Sequence, residues 1–468
     1  MVKHSAIDPG PLSSGDVSLL RHVAAYADRY NQGDSALSPT DNAAGLRRRF
    51  NIGLPDKGRP VDQVIADLIS AAEPGLVGST RAGFLSWVIG ASHEAGVAAD
   101  WLTSLWGQNA GLYQTGPSAA ACEGVVANWL LDLLDLPPAS SVGFVTGATM
   151  AAFSCLATAR SEMLARHGHD VEELGLQGAP HLTVLVGADA HVSNLVALRY
   201  LGLGKTNIVE VDANSEGVMD LPALRAAAAG VTGPAIVIAQ AGQVNSGAFD
   251  DLAAVAEVAR GIGAWLHVDG AFGLWARAAP NRRHLAGGAE LADSWALDGH
   301  KWLQTPYDSG FAIVRHPAAA RRAMAKEAGY LNNSPDDGRN PSNFVPELSR
   351  RARGFAAWAM LQALGRDGIR QMVEKHCLAA RRFADRCRSI AGARVVNQVV
   401  LNQVVVDLGP HTQQVCDALN GTGRFFLRTA EWQDRTILRV SFAGHPSGED
   451  TADELADALT SILEGPVP

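Results

Sequence analysis

Cysteine is scarce in this chain. Five residues, Cys122, Cys155, Cys377, Cys387 and Cys416, are spread over 468 positions. The number is odd and no pair has C-x-x-C spacing, which argues against a disulfide framework, a zinc site or a redox pair. A reducing compartment, the cytoplasm, is the expectation. Basic charge is also in deficit, with 39 Lys and Arg against 48 Asp and Glu, a net −9. A nucleic-acid partner calls for a basic surplus or stripe, so none is expected. No apolar run reaches the roughly 18 residues of a membrane helix. The first sixteen residues hold two Pro and two Gly and no apolar core of signal-peptide type. A membrane partner is therefore not expected, and the sequons at Asn332 and Asn420 carry no meaning. Internal repeats and low-complexity tracts are lacking too.

What remains is an ordinary globular composition, 47% hydrophobic and 19% charged. A chain this long can bury a large core without covalent staples. Residues 1–75 read as an N-terminal helical arm, with amphipathic stretches at Val17–Tyr30 and Val61–Ala72. Helical patterns follow at Glu94–Trp106 and Ala119–Leu134. From Val142 short apolar runs alternate with helical stretches up to Arg315. That alternation predicts an α/β domain over 76–345 with a mostly parallel sheet covered on both faces. Its ligands belong at the carboxyl ends of the strands. A polar, Pro- and Asn-rich stretch at 328–346 reads as a lid or loop. Helices at Glu347–Leu364 and Arg366–Arg388, then strands at Gln403–Asp407 and Ile437–Phe442, predict a small α+β domain over 346–468.

Several familiar patterns fail. Gly204-Lys205-Thr206 resembles the end of a P-loop, but the required first glycine would be position 199, which is Arg199. No G-x-G-x-x-G opens a helix. His167 and His169 follow a long helix, where cation placement explains them as well as metal does.

The informative segment is Leu266–Gly273, LHVDGAFG, an apolar strand ending in Asp269. A lone Asp there commonly caps a turn. Thirty-two residues later Lys301 stands in His300-Lys301-Trp302, between an apolar strand and a Pro turn. This is a poor setting for a solvated lysine. An amine and a carboxylate at neighbouring strand ends suit pyridoxal phosphate, the amine holding the aldehyde and the carboxylate the pyridine nitrogen. The cofactor also needs a phosphate cradle. Thr146-Gly147-Ala148-Thr149 joins a strand end to a helix start, where backbone N–H groups and the helix dipole bind phosphate. By itself this is a plain strand–helix turn. His191, in the loop after another strand, could stack on the ring or merely start a helix.

The ordered set T-G-A-T, A-H-V-S, H-V-D-G-A and D-G-H-K-W resembles the group II pyridoxal-phosphate-dependent amino acid decarboxylases, the family of aromatic-L-amino-acid decarboxylase, within fold type I (the aspartate aminotransferase fold). The resemblance runs from about Gly83 to the C-terminus, and Gly111–Glu123 is similar to the family's substrate-side segment. It implies that Lys301 forms the Schiff base, Asp269 pairs with the pyridinium, His191 stacks on the ring and Ala271 packs beneath it. Gly147, Ala148, Thr149 and His300 would hold the phosphate. Tyr330 would deliver a proton to the substrate carbon, and Arg439 would bind a carboxylate. Three positions depart from the family pattern. Gln240 replaces an Asn or Thr near the ring hydroxyl, Asp298 replaces an Asn and adds negative charge near the phosphate, and Ala152 replaces an Asn.

The implied reaction is α-decarboxylation of an L-amino acid. Aldehyde synthases, aldolases and aminotransferases on the same fold are the alternatives. A binding protein without turnover would need only the lysine and the cradle. Phe84, Trp87, Leu112 and Tyr113 read as an apolar substrate wall, favouring an aromatic or bulky substrate, or else as plain core aromatics. The resemblance also implies a homodimer with shared active sites.

Overall fold

The computed structural model describes residues 19–32, 36–325 and 339–465. Tyr330 and most of the polar 328–346 stretch lie outside them; Pro341–Phe344 forms one 3₁₀ turn. The chain divides into two compact units, Met1–Gly78 and Ser79–Pro468. The first carries helices Leu19–Asn31, Ala43–Phe50 and Val61–Ala72. The middle one, capped by Asn42 accepting from Gly45 N–H at 2.9 Å, is not anticipated from its charged A-A-G-L-R-R-R-F sequence.

In the second unit, seven strands of the described residues form one sheet. They are β1 (Ser141–Val145), β2 (Thr183–Gly187), β3 (Ile208–Val211), β4 (Ala235–Gln240), β5 (Trp265–Asp269), β6 (Ser294–Asp298) and β7 (Gly310–Val314). Their order is β1-β7-β6-β5-β4-β2-β3, and only β7 runs against its neighbours. Strands β4–β7 are buried along their whole length, because helices cover both faces. Near-continuous apolar runs such as A-I-V-I-A in β4 follow from that double burial. Helices Ala148–Arg166, Val192–Tyr200 and Leu252–Gly261 follow strand ends, so their N-termini open on the same edge of the sheet.

The C-terminal part builds a second sheet from β8 (Arg394–Val395), β9 (Gln403–Asp407), β10 (Arg428–Trp432) and β11 (Arg435–Ser441), in the order β10-β11-β9-β8, all antiparallel. Helices Gly354–Cys387 and Glu449–Glu464 bury Phe383, Leu455 and Leu459 against it. The edge strand β10, R-T-A-E-W, has no apolar alternation to announce it; pairing with β11 holds it.

The long helix differs from expectation at its start. It begins at Gly354, not Glu347. The reason is tertiary. Arg350 is withdrawn into the core, where it meets Glu123 at 2.7 Å and donates to the carbonyls of Ala110 and Phe144. A helical turn through 350 could not place that side chain so. The expected break between Leu364 and Arg366 is there, at Gly365, which bends the helix with φ +59°.

Candidate active site

Strands β5 and β6 are neighbours, and Asp269 and Asp298 end them. Gly270 N–H donates to Ala296 O at 2.9 Å and Asp298 N–H to Ala271 O at 3.0 Å. Trp275, fully buried, donates its indole N–H to Asp298 O at 3.0 Å. The two strand ends are thus stitched together where the chemistry is expected.

Asp269 is 7% exposed. Its Oδ2 accepts from Asn194 Nδ2 at 2.6 Å and its Oδ1 from Ala271 N–H at 3.2 Å. One strand repeat back, His267 Nδ1 lies 2.9 Å from Ser294 Oγ. Burial pushes this imidazole down to about 4, against the pull of the Asp269 charge, so it is neutral at neutral pH.

His191 caps the helix Val192–Tyr200. Its Nδ1 accepts from Ser193 N–H at 3.3 Å and lies 2.7 Å from Ser193 Oγ. Burial lowers its pKa, with Asp269 opposing. Gln240, at the end of β4, accepts from His191 N–H at 3.3 Å and donates to Asp189 O at 3.3 Å. Its own N–H is held by Asp250 Oδ2 at 2.7 Å. Gln240 therefore bridges β4 to the His191 loop.

Lys301 Nζ lies 3.0 Å from Asp298 Oδ2 and 6.0 Å from the centre of the Phe272 ring. Its turn is fixed by Gln304, which is fully buried and left-handed at φ +59°. Gln304 Oε1 accepts from Ala91 N–H at 2.7 Å and His445 N–H at 3.0 Å. Its Nε2 donates to the carbonyls of Lys301, Trp302 and Ala443 at 3.1, 3.3 and 2.7 Å. One side chain thus joins the lysine turn to two segments far away in the chain.

The T-G-A-T turn faces the lysine. A Cβ on Gly147 would lie 2.8 Å from His300 Cε1, and one on Gly310 would lie 2.5 Å from Gly147 Cα, so both stay glycine for close approach. Ala148 N–H, opening the helix Ala148–Arg166, donates to Asp298 Oδ1 at 2.5 Å. His300 Nε2 is 3.4 Å from the same oxygen, and its ring stacks on Tyr307 at 4.2 Å. Burial lowers the His300 pKa.

These segments converge on one cavity of about 580 Å³. Lys301, Asp269, His191 and Ala271 line it, with Gly147, Ala148 and Thr149 of the turn. So do Gln240, Asp298, His300, Trp87 and Arg439. Arg439, on β11, donates to Val244 O at 3.4 Å and Asn245 Oδ1 at 3.2 Å, and burial lowers its pKa. Three expected wall residues are not brought to this lining. Phe84 is 3% exposed, stacked on Phe426 at 5.3 Å and 6.1 Å from the ring of Trp87, behind the lining. Leu112 and Tyr113 sit in the turn before the helix Pro117–Leu133, where Tyr113 N–H is held by Asn340 Oδ1 at 2.8 Å. Ala152 is buried inside its helix.

Asn194, Gln304 and Tyr307 are the functional neighbours the motifs do not announce. Asn194 had a signal, standing three residues after His191 on the next helical turn. Gln304 had none, because its partners Ala91 and His445 are distant in sequence.

An amine, a buried carboxylate and a backbone anion turn around one cavity fit pyridoxal phosphate. Among the described residues no group of three His, Cys, Asp or Glu could hold a metal, and no helix is long and apolar enough to cross a membrane. Comparisons with known proteins agree with the donor set. Tryptophan decarboxylase 1 of Oryza sativa subsp. japonica is 27% identical over 475 residues, spanning 92% of this chain and 90% of that protein. Phenylacetaldehyde synthase of Arabidopsis thaliana is 24% identical over 423 residues, 85% of this chain and 84% of that one. The crystal structure of Oryza sativa TDC with PLP and tryptamine superposes with a TM-score of 0.87 at 23% identity, covering 97% of this chain and 99% of that one. The family model described as the pyridoxal-dependent decarboxylase conserved domain matches residues 44–408. The chain belongs to that family: it is an enzyme that uses pyridoxal phosphate to release carbon dioxide from an L-amino acid.

Proposed function

We propose that the substrate is an aromatic L-amino acid and the product its amine. The observation carrying this reading is the single cavity in which Lys301, Asp269 and the T-G-A-T turn converge beside the exposed face of Trp87. Bound pyridoxal phosphate supplies an electron sink for the bond broken at Cα. The chain's own residues do the rest. Lys301 Nζ would hold the aldehyde carbon. Asp269 keeps a proton on the pyridine nitrogen by placing a fixed negative charge beside it in a dry site. His191 and Ala271, both on the cavity lining, would hold the ring between them. Gly147, Ala148, Thr149 and His300 would hold the phosphate, and Gln240 positions the His191 loop. Arg439 attracts the substrate carboxylate. Tyr330 donates the proton that Cα takes once carbon dioxide has left.

The same reading makes the enzyme a cytoplasmic homodimer, with Leu112 and Tyr113 reaching the substrate of a second copy. It divides the chain into an arm to residue 75, a cofactor domain over 76–345 and a small domain over 346–468. Aldehyde formation is the second reading, favoured by the similarity to a phenylacetaldehyde synthase. The test is a panel of L-amino acids on cofactor-loaded protein, with carbon dioxide, amine and aldehyde measured together. Stoichiometric amine from an aromatic member supports the proposal. Aldehyde in its place supports the second reading, and turnover confined to non-aromatic members overturns the substrate class.

A further inference from the structure

The phosphate end of the cavity already holds an anion belonging to the chain. Asp298 is 2% exposed, and its Oδ1 accepts from Ala148 N–H at 2.5 Å, the first amide of the helix whose N-terminus forms the cradle. The same oxygen lies 3.4 Å from His300 Nε2, and Oδ2 lies 3.0 Å from Lys301 Nζ. One carboxylate thus engages an amide and an imidazole that an incoming phosphate would use, together with the ammonium meant for the aldehyde. A helix N-terminus stabilises one anion well. A second placed within a few ångströms is repelled, and in a partly dry site that repulsion is weakly screened.

We propose that Asp298 is an internal competitor of the cofactor's phosphate, holding its place when the cofactor is absent and lowering affinity for the phosphorylated form. This rests on the phosphate lying at Thr146–Thr149. The chain would then take up and release its cofactor readily, with occupancy following supply.

Asp298→Asn tests this by exchanging one oxygen for an amide that donates, while the remaining oxygen can still accept from Ala148. The probes are pyridoxine 5′-phosphate and pyridoxine, which lack the aldehyde, cannot bond to Lys301 and differ only in the phosphate. Calorimetry on cofactor-free protein should show the variant binding the phosphorylated probe about tenfold or more tightly, a difference of about 1.4 kcal/mol. Pyridoxine affinity should change less than twofold. A gain common to both probes, or no gain, overturns the competition. Gly147→Ala is the companion variant, because its Cβ would meet the His300 ring. If it leaves the phosphorylated probe unaffected, the cradle is misplaced and the underlying reading fails. If it weakens that probe while Asp298→Asn does not strengthen it, only the competition fails. A variant that has lost its circular-dichroism spectrum is replaced by Asp298→Ser, for which the same two-probe difference is required.

Discussion

Asp269 and Asp298 end adjacent strands of one sheet, yet they keep different company. Asp269 is held by two neutral donors, the Asn194 amide and the Ala271 N–H, with a neutral imidazole one strand repeat behind. None of these partners carries a charge, so the carboxylate is left to a positive partner brought from outside. Asp298 already has a cation, Lys301 at 3.0 Å, and the first amide of a helix. Its charge is spent inside the protein. The difference teaches that a carboxylate at a strand end is defined by its donors and not by its position: on the proposed reading the first is left to hold a cationic ring and the second holds a place for an anion.

The largest break in this comparison comes from Asp269→Asn. The amide keeps the shape but gives up the charge, so turnover should fall about 10²–10³-fold while cofactor remains bound. Steady-state rates on protein with verified cofactor content check this, and a near-wild-type rate would reduce Asp269 to a turn residue. The opposite substitution, Asp298→Asn, should strengthen binding of the phosphorylated probe about tenfold. A loss of turnover from the one and a gain in phosphate affinity from the other, for the same chemical change at two adjacent strand ends, would be the clearest statement of the contrast.

Tyr330→Phe sharpens the account at the substrate carbon. Phenylalanine keeps the ring and removes only the hydroxyl, and a positioned general acid is worth about 10² or more in rate. The ratio of amine to aldehyde under air should therefore shift towards aldehyde. An unchanged ratio and rate would remove Tyr330 from the chemistry.

A smaller effect concerns acid stability. His376 Nδ1 accepts from Trp302 Nε1 at 2.7 Å, next to Lys301, and its Nε2 is 2.9 Å from Gly444 O. Burial depresses its pKa to about 3, below the ordinary value of about 6.5. The folded state then binds fewer protons than the unfolded one between those values. Stability is present in full above about 6.5 and is lost as pH falls towards 3, by up to about 1.4 kcal/mol per pH unit. Denaturant midpoints measured from pH 7 to 4 should decline, and His376→Gln should flatten the slope. Asp250, raised by burial to about 6, works in the opposite sense: it favours the folded state below its unfolded pKa and costs stability as pH rises through 6.

The residues legible in the sequence are those whose local setting is abnormal. Lys301 sits between an apolar strand and a proline, Asp269 ends an apolar run, and T-G-A-T joins a strand to a helix. Their elements follow from period and burial, so the cavity floor could be assembled from the chain alone. Gln304 and Asn194 are ordinary polar residues locally. Their roles depend on partners such as Ala91 and Asp269 that only the tertiary fold supplies. The start of the helix at Gly354 was hidden for the same reason, since the Arg350–Glu123 pair that unwinds residues 347–353 spans 227 positions. Phe84 illustrates the same limit: an aromatic in a cavity-forming segment reads as substrate wall, and the fold pairs it with Phe426 and sets it behind Trp87, which lines the cavity.

The central claim is that Lys301 is the residue that holds the cofactor. The chain has six lysines, so the claim can be decided outright. Cofactor-saturated protein is reduced with borohydride, digested and mapped by mass spectrometry. The account predicts a pyridoxyl group on the peptide containing His300-Lys301-Trp302 and on no other. Label on a different lysine, or no label in saturated protein, would contradict it.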